Sequence, residues 1–409
     1  MATKKYEEFM RNKSITLLLI TCFLLVFMPA YAQGQTLGYK ALDLLKKRSY
    51  VELDSLLEEL QTALERDLGK DFVYRTTWDA FDRPNPAFER LLNEWISSRP
   101  QSPYGYLARA TYYHASGWKS RGTKWAHETS ADQFSQMEHF FQKAILDLDK
   151  ADALKPGMLL SSTIRIDIAK ATSDPSIKKL YYTALAKYPL SFLLRQAYAN
   201  TLLPRWGGSF EEMSQLIEET RPYYSKNQQL RAVESILLIE LGDREFSNHN
   251  YKKALNYYNE AITLGESPEQ YYVKRGKTLF QLELYPSALN NFSRALSINS
   301  FNHDAIKWVF TLELYMSDWT VAIDGAKRYL EIDPDHDYAY HALGISYHEL
   351  CNYDNALENE QIALTLKPQE ELYLRHYRTI KKSIDDKRRC DESGNNWVCK
   401  QKKCIGKEK

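Results

Sequence analysis

The chain has 409 residues, 44% apolar and 26% charged, a composition that excludes an intrinsically disordered polypeptide and leaves room for two or more cores. Lys and Arg (54) balance Asp and Glu (53), so the formal charge of +1 gives the molecule no electrostatic preference for nucleic acid or an anionic membrane. Any function that depends on charge has to be local.

The amino terminus carries basic residues up to Lys13, the uncharged run Ile15–Met28, then Pro29 and Ala30-Tyr31-Ala32. This is the order of a secretory signal peptide (residues 1–32), and the small residues one and three places before the cut put cleavage between Ala32 and Gln33. The alternative is an uncleaved anchor, but the run is short for a bilayer and Pro29 ends it. Lipidation at Cys22 is disfavoured by Thr21 before it and by the apolar residues beyond. The expected product is exported, periplasmic or secreted.

Residues 33–230 read as a helical domain. Segments such as AFERLLNEWISS, MEHFFQKAILDLDKADAL and SFLLRQAYANTLL repeat apolar residues every three or four places, and no run alternates as a strand would. Two stretches break the pattern. The first, residues 115–134, lies beside His114 and holds Trp118, Arg121 and His127, which could line a ligand pocket: aromatic faces for a sugar or peptide ring, Arg121 for a carboxylate. The competing reading is a long loop pinned by Trp118 and Trp125 and closed by a capping box, Ser130 to Gln133. The second, LLPRWGGSFEEM (202–213), has neither a phosphate-loop pattern nor a GxSxG elbow; Ser209-Phe210-Glu211-Glu212 suits a capping box, and the stretch reads as a joint.

Residues 231–370 are periodic. Ala254, Ala288, Ala322 and Ala356 lie 34 residues apart, Gly242, Gly276 and Gly344 hold the position twelve before, and Tyr251, Tyr285, Trp319 and Tyr353 open each second helix. Pro334 and Pro368 close the last two units. The third unit has Phe310 where the glycine belongs, which predicts a wider crossing. This pattern resembles the tetratricopeptide repeat, four copies of it. The fold class implied is all-α, a helical-hairpin solenoid preceded by a helical domain that reads as degenerate repeats of the same kind. The first helices of such an array line a concave groove able to hold an extended segment of another protein. Counting from Ser235, Glu269, His303 and Asp337, the groove residues are Asp243, Phe246, Gln270, Lys277, Phe280, Lys307, Tyr315, Tyr338, His341 and His348.

Residues 371–386 suit a capping helix, and 387–409 form a basic tail containing cysteines. From Arg375 to Lys409 there are 12 Lys or Arg against 5 Asp or Glu, enough for a weak contact with an anionic envelope surface. Cys351, Cys390, Cys399 and Cys404 would form two disulfides in an oxidising compartment, with three connectivities open. A zinc site using these thiolates and His376 lacks a paired CxxC, so no metal and no cofactor is expected.

In the amino-terminal half, W-D-A-F at 78–81, Gly117-Trp118 with Arg121-Gly122, and Leu203–Ser209 together resemble an exported bacterial domain family of unknown function. The resemblance implies a helical domain and no activity. His348-Glu349 lacks the second histidine of a zincin helix, and no catalytic residue can be assigned. The reading is a noncatalytic protein–protein interaction adaptor of the bacterial envelope; the alternative is an enzyme or small-ligand receptor with its pocket around residues 114–139. Amino-terminal sequencing of the exported product should give Gln33, and an intact Met1 chain in the membrane fraction would overturn that expectation.

Overall fold

The structure is a computed structural model that describes residues 30–67, 71–122, 126–264 and 268–405. The hydrophobic run Ile15–Met28, Pro29 and Trp125 lie outside the described residues. No described helix is long and apolar enough to cross a membrane.

Nineteen α-helices are described: α1 (Ala30–Lys46), α2 (Tyr50–Arg66), α3 (Asp71–Trp78), α4 (Pro86–Ser98), α5 (Pro103–Arg121), α6 (Ala131–Leu154), α7 (Leu159–Ala171), α8 (Ile177–Lys187), α9 (Phe192–Thr201) and α10 (Phe210–Thr220), followed by the repeat helices α11 (Ala232–Ser247), α12 (Tyr251–Thr263), α13 (Glu269–Gln281), α14 (Tyr285–Ile298), α15 (His303–Tyr315), α16 (Trp319–Leu330), α17 (Asp337–Glu349) and α18 (Tyr353–Leu366), and the cap α19 (Glu371–Glu392). The second helices open at Tyr251, Tyr285, Trp319 and Tyr353, as the 34-residue register predicts.

In the amino-terminal half one apolar cluster runs from Ala41 to Ile236 and takes in Phe301 from the loop between α14 and α15. Helix α1 reaches that loop because Gly38 lets it come close: a Cβ there would stand 2.7 Å from the Phe301 ring. Residues 115–121, expected as loop in one reading, continue α5, because Gly117 lets that helix cross α6 with Phe141 against its backbone. Ser130 and Gln133 form the predicted capping box at the start of α6. Ser209 caps α10 by accepting from the Glu212 N–H; its hydroxyl donates to the Glu212 carboxylate, so the reciprocal bond of a full box is replaced.

In the repeats the core breaks into small clusters around the first three hairpins, as nearest-neighbour stacking requires. A Cβ at Gly242 would stand 2.5 Å from the Tyr258 ring, and one at Gly276 2.7 Å from the Phe292 ring. These aromatic rings occupy a slot sixteen residues beyond each glycine. In the third repeat the sizes are exchanged: Phe310 is buried against Ala326 and Gly325, where a Cβ would come 2.8 Å from Phe310 Cβ. Close approach is thus kept locally, at Gly325.

The cap α19 begins 34 residues after α17, in the position of a fifth first helix, and runs on to Glu392. Beyond it, Asn396–Val398 pairs antiparallel with Lys403–Ile405. Cys351 is bonded to Cys399 and Cys390 to Cys404, so the hairpin is tied both to the turn after α17 and to the end of α19. The cysteine-containing tail is thus a stapled hairpin.

Gly276→Leu and Gly325→Leu should each destabilise the array by about 1–3 kcal/mol, since overpacking displaces backbone. Chemical denaturation checks this. A Gly325 variant as stable as the parent would rule out the exchange of sizes in repeat three.

Candidate functional site

Most of the sequence-predicted site residues meet along the face that the repeats turn toward the amino-terminal half. One such space, about 560 Å³, has Asp243, Phe246 and Gln270 on the repeat side and Trp118, Arg121, Arg205 and Trp206 opposite. Three of the groove residues, Asp243, Phe246 and Gln270, and two of the ligand-pocket residues, Trp118 and Arg121, thus line one cleft. Residues Leu203–Ser209 build the far wall. Gly207 adopts a left-handed φ of 91°, and Gly208 sits so close to Leu202 that a Cβ would stand 2.2 Å from its carbonyl oxygen. This turn presents Arg205 to Glu240 and Asp243, at 3.3 Å from each, and leaves Trp206 38% exposed at the cleft mouth.

Asp243 accepts from Lys274 (2.7 Å) and from the Tyr258 hydroxyl (2.8 Å) as well. Burial opposes its ionisation, but the Lys274 ammonium and Arg205 keep its carboxyl below the ordinary range. Trp118 stands edge-on to Trp206 at 6.2 Å, with the Lys170 ammonium over both rings. The Trp118 indole N–H donates to Asp167 (2.7 Å), and Lys170 pairs with the other carboxylate oxygen. Burial disfavours the charged Asp167, yet Lys170 and the adjacent His114 outweigh it and hold the carboxyl well below the usual range.

Gln270 and Lys274 continue into a second space of about 390 Å³, between Lys277 and Asp304 on the repeats and Arg75, Asp79 and Asp82 on the amino-terminal half. Farther along, Phe280 packs on Trp308 (5.0 Å) and Tyr315 (5.1 Å), and Tyr315 is 59% exposed. Lys307 is half-buried one turn from Asp304, and Tyr338 is half-buried against Phe310.

Four residues fall elsewhere. His114 turns away from the cleft, its Nε2 2.8 Å from Asp167 and its ring stacked on Phe141. His127 lies exposed in the turn before α6. His341 and His348 do not face the groove: both are buried beneath α19. Position five of a repeat, that of His341, lies on the seam between adjacent first helices, as buried Ile239 and Val273 also show, and His348, at position twelve, is buried where Ser383 of α19 meets it.

Beneath α19, Nδ1 of His341 lies 2.8 Å from one oxygen of Glu360 and Nδ1 of His376 lies 2.8 Å from the other. His348 pairs through Nε2 with the Ser383 hydroxyl (3.0 Å), and burial with nearby Lys402 lowers its pKa to about 4. Glu360 was missed by sequence reasoning, although a signal exists: it is the fourth member of the series Tyr258, Phe292, Ala326, a carboxylate in an interior slot.

The class of the carboxy-terminal half is thereby fixed as a tetratricopeptide-repeat array, from helix starts 34 residues apart and the small-to-large contacts between paired helices. The amino-terminal half, over residues 40–180 and 173–224, matches a family described as "Domain of unknown function (DUF4034)". "Sperm-associated antigen 1" of Rattus norvegicus is 26% identical over 117 residues, 29% of this chain and 13% of that protein's length. Among solved structures, "MamA 41-end from Desulfovibrio magneticus RS-1" is similar at 21% identity and a TM-score of 0.36, covering 39% of this chain and 89% of that one. A tetratricopeptide protein, YrrB, is similar at 20% identity and a TM-score of 0.34, covering 48% and 96%. The Cut9–Hcn1 structure of the APC/C is similar at 13% identity and a TM-score of 0.39, covering 87% of this chain and 65% of that one.

A carboxyl whose pKa is depressed on folding contributes stability above its unfolded pKa, which is lost as pH falls through the folded value. The Asp167 contribution should therefore be present at neutral pH and decline below about pH 4. Asp167→Asn should cost about 1–3 kcal/mol at pH 7 and flatten the acid limb of the stability profile. Urea midpoints measured from pH 3 to 7 check both; an unchanged profile would overturn the assignment.

Proposed function

We propose that the protein is a noncatalytic protein–protein interaction adaptor that holds an extended segment of a partner along the face running from the cleft to Tyr315. The observation that carries this reading is the meeting of Asp243, Phe246 and Gln270 with Trp118, Arg121 and Trp206 around one open cleft. Exposed aromatic surface beside paired charges of both signs suits a peptide, whose backbone and side chains need apolar contact and polar fixing together. A small-ligand receptor in the same cleft is the second reading, supported by Trp118 and Arg121 lining it.

We place the adaptor in the bacterial envelope. The leader pattern ending at Ala32 supports export, and two cystine bridges suit an oxidising compartment. The basic carboxy-terminal segment supplies only a weak contact with an anionic surface, because Arg388, Arg389, Lys387 and Lys402 are each engaged by a neighbouring carboxylate.

A photo-crosslinking side chain at Gln270 or Tyr315 should capture the same partner from envelope extracts, whereas one at exposed Val51 on α2 should not. Tyr315→Ala should weaken that capture by an amount equivalent to about 1–2 kcal/mol without lowering the unfolding midpoint. Identical adducts from all three positions would sink the adaptor reading. Displacement of the partner by a free sugar would favour the receptor.

A further inference from the structure

We propose that His341, Glu360 and His376 bind a divalent transition-metal ion of the zinc type, which fastens the last repeat to the helix that caps it. The three residues come from three helices, α17, α18 and α19, and their donor atoms all lie within 4.8 Å of one another. Each histidine turns Nδ1 toward the carboxylate, so all three groups converge on one point between the helices.

Two imidazoles and a carboxylate are a recognised zinc ligand set, with bonds of about 2.0–2.2 Å that place neighbouring donors roughly 3.3 Å apart in a tetrahedron. The observed N–O separations of 2.8 Å need to open by a few tenths of an ångström, and the donor set, which spans up to 4.8 Å, needs to close around the ion. A neutral imidazole offers the Nδ1 lone pair once its proton sits on Nε2, so no group need be displaced from the protein.

The buried charge is what asks for a cation. Glu360 is 0% exposed and fills the slot that holds Tyr258 and Phe292 in the first two repeats, where an aromatic ring would cost nothing in desolvation. The Gly344 that faces Glu360 leaves room for the carboxylate against α17: a Cβ there would stand 2.4 Å from its oxygen. His376, with its side chain 16% exposed, gives the ion a way in. Of the neighbouring groups, Tyr373 stacks on His341 at 4.5 Å, and His348 is held by Ser383. Lys402, near His348, is neutralised by Glu349. The four cysteines named above are engaged in disulfides, so the ligands are nitrogen and oxygen only.

The test uses the untagged, oxidised full-length protein, stripped with a chelator and titrated with zinc. Saturable binding of a single ion and a rise in melting temperature are expected. Cobalt in place of zinc should give visible d–d bands without thiolate charge transfer. His376→Gln, on the partly exposed flank, should stay folded by circular dichroism and bind at least about tenfold more weakly; Glu360→Gln should do the same if it folds. Absence of saturable binding at micromolar free zinc, or undiminished binding by folded His376→Gln, would overturn the site.

Discussion

The cleft exists because one ion pair fixes the amino-terminal half against the repeats. Arg75 of α3 makes a two-pronged contact with Glu269, 1% exposed at the first turn of α13. Burial alone would disfavour the Glu269 carboxylate, and the Arg75 charge keeps it ionised. Removing two charges from water is costly, so such a pair contributes more to geometry than to net stability. Here the geometry is the alignment of two walls: a slip would leave Glu269 buried without its partner. Lys119 on Asp333 and the Asn85 amide on the Glu331 carbonyl repeat the constraint farther along the same edge. Apolar contact supplies the adhesion, through Tyr39 and Gly38 on Phe301.

Within the repeats a single slot is filled in three ways, and each filling reports how the helix pair meets. Glycine opposite a ring, in repeats one and two, gives close crossing with a large buried area. A ring opposite Gly325 and Ala326 moves the bulk to the other helix and keeps a close approach at Gly325. Glycine opposite Glu360 replaces the apolar payload with a carboxylate, at a cost that the two histidines offset. Because neighbouring repeats stack independently, one slot can become polar without disturbing the others.

Much of this was legible in the chain. The 34-residue phase matches the first residues of α13 to α18, since alanine, glycine and aromatic positions each constrain the same hairpin. Ser130, Ser209 and Gly208 were readable as caps and a joint because capping chemistry is local. Pairing across the fold was not. Nothing in the composition of residues 114–127 says that Trp118 meets Trp206 while His114 turns to Asp167, because that depends on how α5 crosses α7. The histidine assignments failed for a related reason: counting positions treats every first helix alike, whereas the last one is covered by α19. The series ending in Glu360 was in register all along, but an acidic residue at an interior position has meaning only when its partners' helices are known.

The capped end also explains why the cysteines cluster there. A terminal repeat needs a cover, and an apolar interface would supply its own adhesion. Around His341, His348, Glu360 and Ser383 the interface is polar instead, and water competes for every hydrogen bond that would hold α19 in place. Such a seam specifies orientation strongly and attracts weakly. The two disulfides close loops of 48 and 14 residues across that end, restricting the unfolded chain and keeping the hairpin with Lys402 over His348. Covalent closure thus supplies persistence that the polar interior alone does not, while the imidazoles and carboxylate set how α19 lies on the last repeat.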